Sequence, residues 1–157
     1  MPKITTFLTY EKGAEEAVNH YASIFKNSKV GKKTYYGEGM PVPKGTVMTI
    51  EFELEGTPYV AMNGGDHFKL TDAVSLSISV DTQEEVNRLT DKLIEGGGEE
   101  GPCGWLTDRW GLSWQVTPKI LIDLINDPDP VKSKKAMDAM MKMKRIDIAA
   151  LKRAVGL

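Results

Sequence analysis

The sequence predicts an α+β fold made of two β-α-β-β-β modules followed by a helical tail. Three observations carry this reading. Stretches that are β-branched, or that alternate apolar with polar residues, are separated by short Gly-containing breaks. The order strand, helix, further strands occurs twice, with starts about 69 residues apart: Ile4 against Ala73, Glu16 against Glu85, Ile24-Phe25 against Leu93-Ile94. After Thr117 the pattern turns helical, with prolines where segments begin.

The first module covers residues 3–63. Ile4–Tyr10, ITTFLTY, is β-branched and aromatic and reads as a strand. Glu11-Lys12-Gly13 breaks it. Ala17, Tyr21, Ile24 and Phe25, with Val18 beside them, then recur at helical spacing over Ala14–Phe25. Lys29–Tyr36 is a further strand, and Gly37–Gly45 a loop rich in Gly and Pro. Thr46–Leu54 alternates, and Glu55-Gly56 turns it tightly into Thr57–Met62, so the two predict a hairpin. Asn63–Asp72 is a connecting loop or lid.

The second module covers residues 73–117. Ala73–Val80, AVSLSISV, alternates strictly and predicts a strand. Asp81 or Thr82 caps a helix through Ile94, with Glu84 and Glu85 at its positive end. Gly96-Gly97-Gly98 ends that helix. Strands follow over Glu99–Leu106 and Leu112–Thr117, joined by the turn Asp108-Arg109-Trp110-Gly111. In the last strand Trp114 shares a face with Leu112 and Val116, whereas Ser113 and Gln115 share the other.

The tail, 118–157, opens with a short helix at Pro118 that Asn126–Pro130 stops. Asp129 then caps a helix from Pro130 to about Met143, and Asp147 caps a last one within Ile146–Val155. Met137, Met140 and Met141 fall on one face beside Ala136, which predicts a packed or dimer-buried surface; a Met-rich face also suits partner binding.

Composition narrows the function. With 20 Lys+Arg against 22 Asp+Glu, the net charge of −2 argues against a nucleic-acid binder built on a basic face. No apolar run approaches the roughly 20 residues of a membrane span, and MPKITTFLTY lacks the apolar stretch of a signal peptide. A single cysteine excludes an internal disulfide, so a reducing, cytoplasmic location is expected. The glycines at 96–98 follow a helix and precede a strand, the reverse of a dinucleotide fingerprint, and no Gly-Lys-Ser/Thr is present.

Few residues carry chemistry. His20 stands four residues after Glu16 in the first helix and reads as a surface or interface histidine; His67, beside Asp66 and Phe68 in NGGDHFKL, reads as solvent-facing or pocket-lining. Cys103 has no neighbouring base in sequence, which argues against a catalytic thiol. Trp105, Trp110 and Trp114 fall within ten residues, as a core would require or as the aromatic wall of a small-molecule cavity would. Gln115, on the face opposite Trp114, is placed to orient a ligand through its amide.

The segments MNGGDHFKL, DAVSLSISVDTQEEVNRL, GGGEEGPCGWLTDRWGLSWQVTP, ILIDLINDPDP and AMMKMKRIDIAAL, with ITTFLTYEKGAEEAVNHYASIFKNS at the start, resemble the PhnB-like family of the vicinal oxygen chelate (glyoxalase/bleomycin resistance/dioxygenase) superfamily. The resemblance implies one PhnB-like domain over 1–157, with paired βαβββ modules forming a cleft in a homodimer. Family members are often labelled 3-demethylubiquinone 3-methyltransferases, a label at odds with the missing nucleotide-binding signature. Positions of the superfamily's metal ligands fall here on Thr5, on Ser75, on Gln115, and near Glu51 or Asn63. Hydroxyls and a lone amide are poor ligands for a divalent ion.

These readings together point to a cytoplasmic, homodimeric protein that binds a small molecule without a metal or other cofactor. The expected ligand contacts are Thr5, Phe7, Asn63, His67, Phe68, Ser75, Cys103, Trp105, Trp110 and Gln115. No nucleic-acid or membrane partner is expected. The alternatives are a metal-dependent lyase, isomerase or dioxygenase that uses Gln115 with Glu51 or His67, and an enzyme with Cys103 as nucleophile.

Overall fold

Alternation and capping place the elements largely where the sequence puts them. In a computed structural model that describes residues 2–157, contacts divide the chain into one unit ending at Leu70 and another spanning Thr71–Leu157.

The first unit holds β1 (Thr6–Tyr10), α1 (Ala14–Ile24), β2 (Lys29–Tyr35), β3 (Val47–Leu54) and β4 (Thr57–Asn63). Its sheet runs β1-β4-β3-β2, with β1 parallel to β4 and the other pairs antiparallel. Leu54 pairs with Thr57, which leaves Glu55 and Gly56 as a two-residue turn with φ of 49° and 81°. Those two left-handed residues match the twist of the hairpin, and glycine is the residue that adopts such a φ without strain. Leu8, Tyr10, Ile50, Phe52 and Ala61 are buried on the helix side, as are Ala17, Val18 and Tyr21 of α1. The hydroxyls of Tyr10 and Tyr21 share a hydrogen bond of 3.0 Å inside this core.

The second unit repeats the plan. β5 (Ser75–Val80) begins 69 positions after β1, and α2 (Gln83–Ile94) begins 69 after α1. Its sheet contains β6 (Glu99–Glu100), β7 (Trp105–Thr107) and β8 (Ser113–Pro118), in the order β5-β8-β7-β6 with β5 parallel to β8. Thr82, not Asp81, is the cap of α2: its side chain accepts from the Glu85 N–H at 3.2 Å. Gly98 permits the exit from α2, because a Cβ there would lie 2.6 Å from the Thr107 carbonyl oxygen and 2.7 Å from Ile94 Cα.

One expectation needs correction. Glu99–Leu106 is not one strand. Pro102, with no N–H to give a ladder, opens a short 3-10 turn over Pro102–Gly104, and Cys103 adopts φ 59° within it. The two flanking pieces become β6 and β7, so the second module has the full β-α-β-β-β order.

The tail folds as α3 (Lys119–Ile125), α4 (Pro130–Met140) and α5 (Ile148–Ala154) around Leu121, Leu124, Ala136, Ile146 and Leu151. Asp129 and Asp147 cap α4 and α5, accepting from Val131 N at 2.9 Å and Ala150 N at 3.0 Å. α4 stops at Met140, three residues before the expected end, and the methionines do not share one fate. Met140 and Met143 pack against the tail core, whereas Met137 and Met141 stay exposed. Among the described residues, no helix is long and apolar enough to cross a membrane.

Candidate functional site

Strand alternation gives each sheet a second face, turned away from its helix. On the second sheet Trp114, Val116 and Leu106 are buried toward α2. The opposite face then carries Ser75, Ser77 and Ser79 of β5, Ser113, Gln115 and Thr117 of β8, and Trp105 of β7. The register sets Gln115 between Ser77 on one side and Trp105 on the other. Gln115 Nε2 donates to Ser75 Oγ at 2.9 Å. The Gln115 side chain makes no other polar contact among the described residues, so its amide oxygen remains an acceptor.

A cavity of about 300 Å³ lies over this face, at the small end of ligand pockets, roughly 300–1,000 Å³. Ser77, Ser79, Gln115, Thr117 and Trp105 line its sheet side. Cys103 and four apolar tail residues, Leu121, Ile122, Ile125 and Met140, complete it. No charged side chain is among these residues. A second hollow of about 450 Å³ shares Cys103 and Trp105 and extends toward Asp72. The Cys103 turn is fixed from the tail: Cys103 N donates to the Met143 carbonyl at 2.8 Å, and Gly104 N to that of Lys144 at 2.7 Å.

The expected contact residues therefore separate. Ser75, Cys103, Trp105 and Gln115 come together on the second sheet. Thr5 and Phe7 line a hollow of about 400 Å³ on the corresponding face of the first sheet, with Val60, Glu51 and the Lys29–Glu53 ion pair of 3.5 Å. Burial raises the pKa of Tyr59 at its edge, so that phenol stays a neutral donor. Trp110 lies in the β7–β8 turn, with the Arg109 guanidinium 4.2 Å from its ring centroid, and lines neither hollow of the second unit. His67 is exposed, 3.9 Å from Asp66. Phe68 folds back on Gly64, where a Cβ would meet its ring at 2.7 Å.

Asn63 ends β4 and is occupied with structure. Its Oδ1 accepts from Ala14 N at 2.9 Å, and its Nδ2 donates to Glu15 Oε1 at 2.7 Å and to the Val47 carbonyl at 2.9 Å. The N-terminus of α1 thus receives from β4 the cap that Gly13 lacks. Tyr36 also donates its hydroxyl proton to the Asn63 carbonyl.

Within each unit the donor set does not fit a catalytic divalent ion. No group of three His, Cys, Asp or Glu converges among the described residues. Ser75 and Gln115 are neutral donors already bonded to each other, and Asn63 has its amide filled. A nucleotide-type cofactor is no better served: the β1–α1 connection carries one glycine and the β5–α2 connection none.

Sequence reasoning missed Ser77, Ser79 and Thr117, and the four tail residues. The serines carried a signal: Ser75, Ser77 and Ser79 alternate along one strand and must share a face. The tail residues carried none, since helical spacing does not say which sheet a helix covers.

The 3-demethylubiquinone-9 3-methyltransferase family model matches residues 2–117, both modules without the tail. A solved PhnB protein from Bacillus cereus, which carries the same methyltransferase label, is 35% identical; the match covers 74% of this chain and 99% of that one, with a TM-score of 0.66. A Pseudomonas aeruginosa protein of known structure is 22% identical over 75% of this chain and 98% of its own, with a TM-score of 0.61, and shares the fold. No curated protein matches the sequence at a significant level.

Proposed function

The chain belongs to the PhnB-like family described by the 3-demethylubiquinone-9 3-methyltransferase model, and from that premise we propose that it binds a small molecule on the open face of its second sheet, as a homodimer and without a resident metal. The observation that carries this is the pairing of Gln115 with Ser75 beside Trp105. A hydrogen-bonding amide and an aromatic wall lining one cavity are the elements of a small-molecule site.

Gln115 offers a ligand its carbonyl oxygen, and Ser77 and Ser79 offer hydroxyls with no other partner among the described residues. Trp105 supplies a flat apolar surface for a ring or alkyl chain. The metal-free part rests on the donor chemistry of these groups. The methyltransferase label does not guide the reading, because neither module has the glycine-rich strand-to-helix turn that a nucleotide-type cofactor uses. Self-association is supported by the first sheet, whose open face leaves Phe7 56% exposed.

Thermal-shift screening of a metabolite library against the wild type and Gln115→Leu tests the proposal. Hits that stabilise the wild type and not the variant are expected. A stoichiometric divalent metal in protein purified without added metal would overturn the metal-free part. Hits unaffected by Gln115→Leu would overturn the site, and a monomer by light scattering would overturn the dimer.

A further inference from the structure

The family match ends at residue 117, yet four of the residues that enclose the Gln115 cavity lie beyond it. Leu121, Ile122 and Ile125 come from α3, and Met140 from α4. The segment that follows α4 is tied to the second module. Gln83 of α2 donates from Nε2 to the Ile146 carbonyl at 3.0 Å and accepts from Ile148 N at 2.8 Å. Arg145 bridges Asp91 at 2.7 Å and Glu100 at 3.0 Å. With the Cys103 and Gly104 bonds to the 143–144 carbonyls, the 143–148 segment is tied to the second module along its length.

We infer that the C-terminal helices make this site selective for an uncharged amphipathic ligand, with its apolar body against α3 and α4 and a hydroxyl or amide group at Gln115. The inference rests on the site reading above and adds the class of ligand. The chemistry follows from the lining. The sheet side of the cavity offers neutral hydrogen-bonding groups beside the Trp105 ring, the tail side only apolar side chains, and no basic or acidic residue lines it to compensate a ligand charge. A carboxylate or phosphate placed there would lose solvation without gaining a counter-ion, whereas a hydroxyl exchanges water for Gln115 and the serines.

A matched pair of probes tests this: 2-naphthalenemethanol and 2-naphthoate have the same ring and differ in head-group charge. Titrations at neutral pH, followed by tryptophan fluorescence and calorimetry, are expected to show the alcohol binding on the order of tenfold more tightly than the carboxylate. Ile122 is 45% exposed, so Ile122→Lys is compatible with folding, which a melting curve checks. The new ammonium group is expected to weaken the alcohol and strengthen the carboxylate, reversing the preference. Gln115→Leu is expected to weaken the alcohol by on the order of tenfold.

The outcomes separate the two proposals. If the probes bind equally, or Ile122→Lys leaves the preference unchanged while Gln115→Leu weakens both, the ligand class is wrong and the site stands. If Gln115→Leu has no effect, or neither probe binds at millimolar concentration, both proposals fall.

Discussion

Gln115 Nε2 donates to Ser75 Oγ across the parallel β5–β8 pair, at 2.9 Å and one step diagonal to the Ser77–Gln115 register. The bond uses one donor of the amide and leaves the carbonyl oxygen to a ligand. Ser75 is then a positioning residue, acting through Gln115. Ser75→Ala should leave stability within about 0.5 kcal/mol, because both side chains are only half-buried. It should weaken ligand binding by roughly 3- to 10-fold, the worth of one neutral hydrogen bond. Titration of the Ser75→Ala and Ser75→Thr proteins checks this, since threonine retains the hydroxyl and should restore most of the affinity.

Asp108 is 3% exposed and organises the β7–β8 turn. Its Oδ1 accepts from Trp110 N and Leu112 N, each at 3.0 Å, and its Oδ2 from Trp114 Nε1 at 3.0 Å. Asp108→Ala leaves three donors without this partner, two of the bonds being buried. The expected cost is about 2–4 kcal/mol. Asp108→Asn keeps one carbonyl acceptor and should cost about half as much. Urea denaturation followed by tryptophan fluorescence measures both, and a loss below about 1 kcal/mol for alanine would contradict the assignment.

How far the sequence reaches is clear at particular residues. The division of β8 into Trp114 and Val116 on one face, Ser113 and Gln115 on the other, is legible because a strand has period 2. The repeat is legible because both modules keep the same spacing from first strand to helix. Asp108 was hidden, since in sequence it is an ordinary turn residue and its indole partner is seen only after the chain folds back. Asn63 shows the opposite case. The family resemblance placed a ligand position near it, whereas in the fold α1 lacks a side-chain cap at Gly13 and engages that amide. The split at Pro102 was signalled by the missing N–H, although the alternation around it reads as one strand. The tail's part in the cavity depends on packing between helices and a sheet, which no local pattern encodes.

The α3–α4 junction should respond to acid through Asp127. Asp129 N donates to its Oδ1 at 2.9 Å, and Lys132 lies 3.4 Å from its Oδ2. The backbone hydrogen bond, followed by Lys132, lowers its pKa below the ordinary 3.8. A carboxyl with a depressed folded-state pKa contributes stability that is complete above the unfolded value and is lost as pH falls through the folded one. The stability difference between wild type and Asp127→Asn should therefore be constant at neutral pH and shrink only below 3.8. Carboxyl NMR titration of Asp127 gives the direction independently; a midpoint above 3.8 would refute the account.

Gln83 joins the second module to its tail. One side-chain amide donates to the Ile146 carbonyl and to Asn87 Oδ1, at 3.0 and 3.2 Å, and accepts from Ile148 N at 2.8 Å. The Ile148 amide is in the first turn of α5, where helix N–H groups lack intrahelical partners. Asp147 satisfies the Ala150 amide, and Gln83 satisfies that of Ile148 from outside the helix. Gln83→Ala should cost about 1–2 kcal/mol and act locally. Hydrogen exchange is expected to accelerate at Ile148 and through α5, while Leu106 and Val116 in the central strands β7 and β8 keep their protection. Gln83→Glu retains the acceptor for Ile148 N but gives up the donor to Ile146, so it should protect α5 better than alanine does. Equal exchange in the two variants would show that the Ile148 bond does not hold the tail.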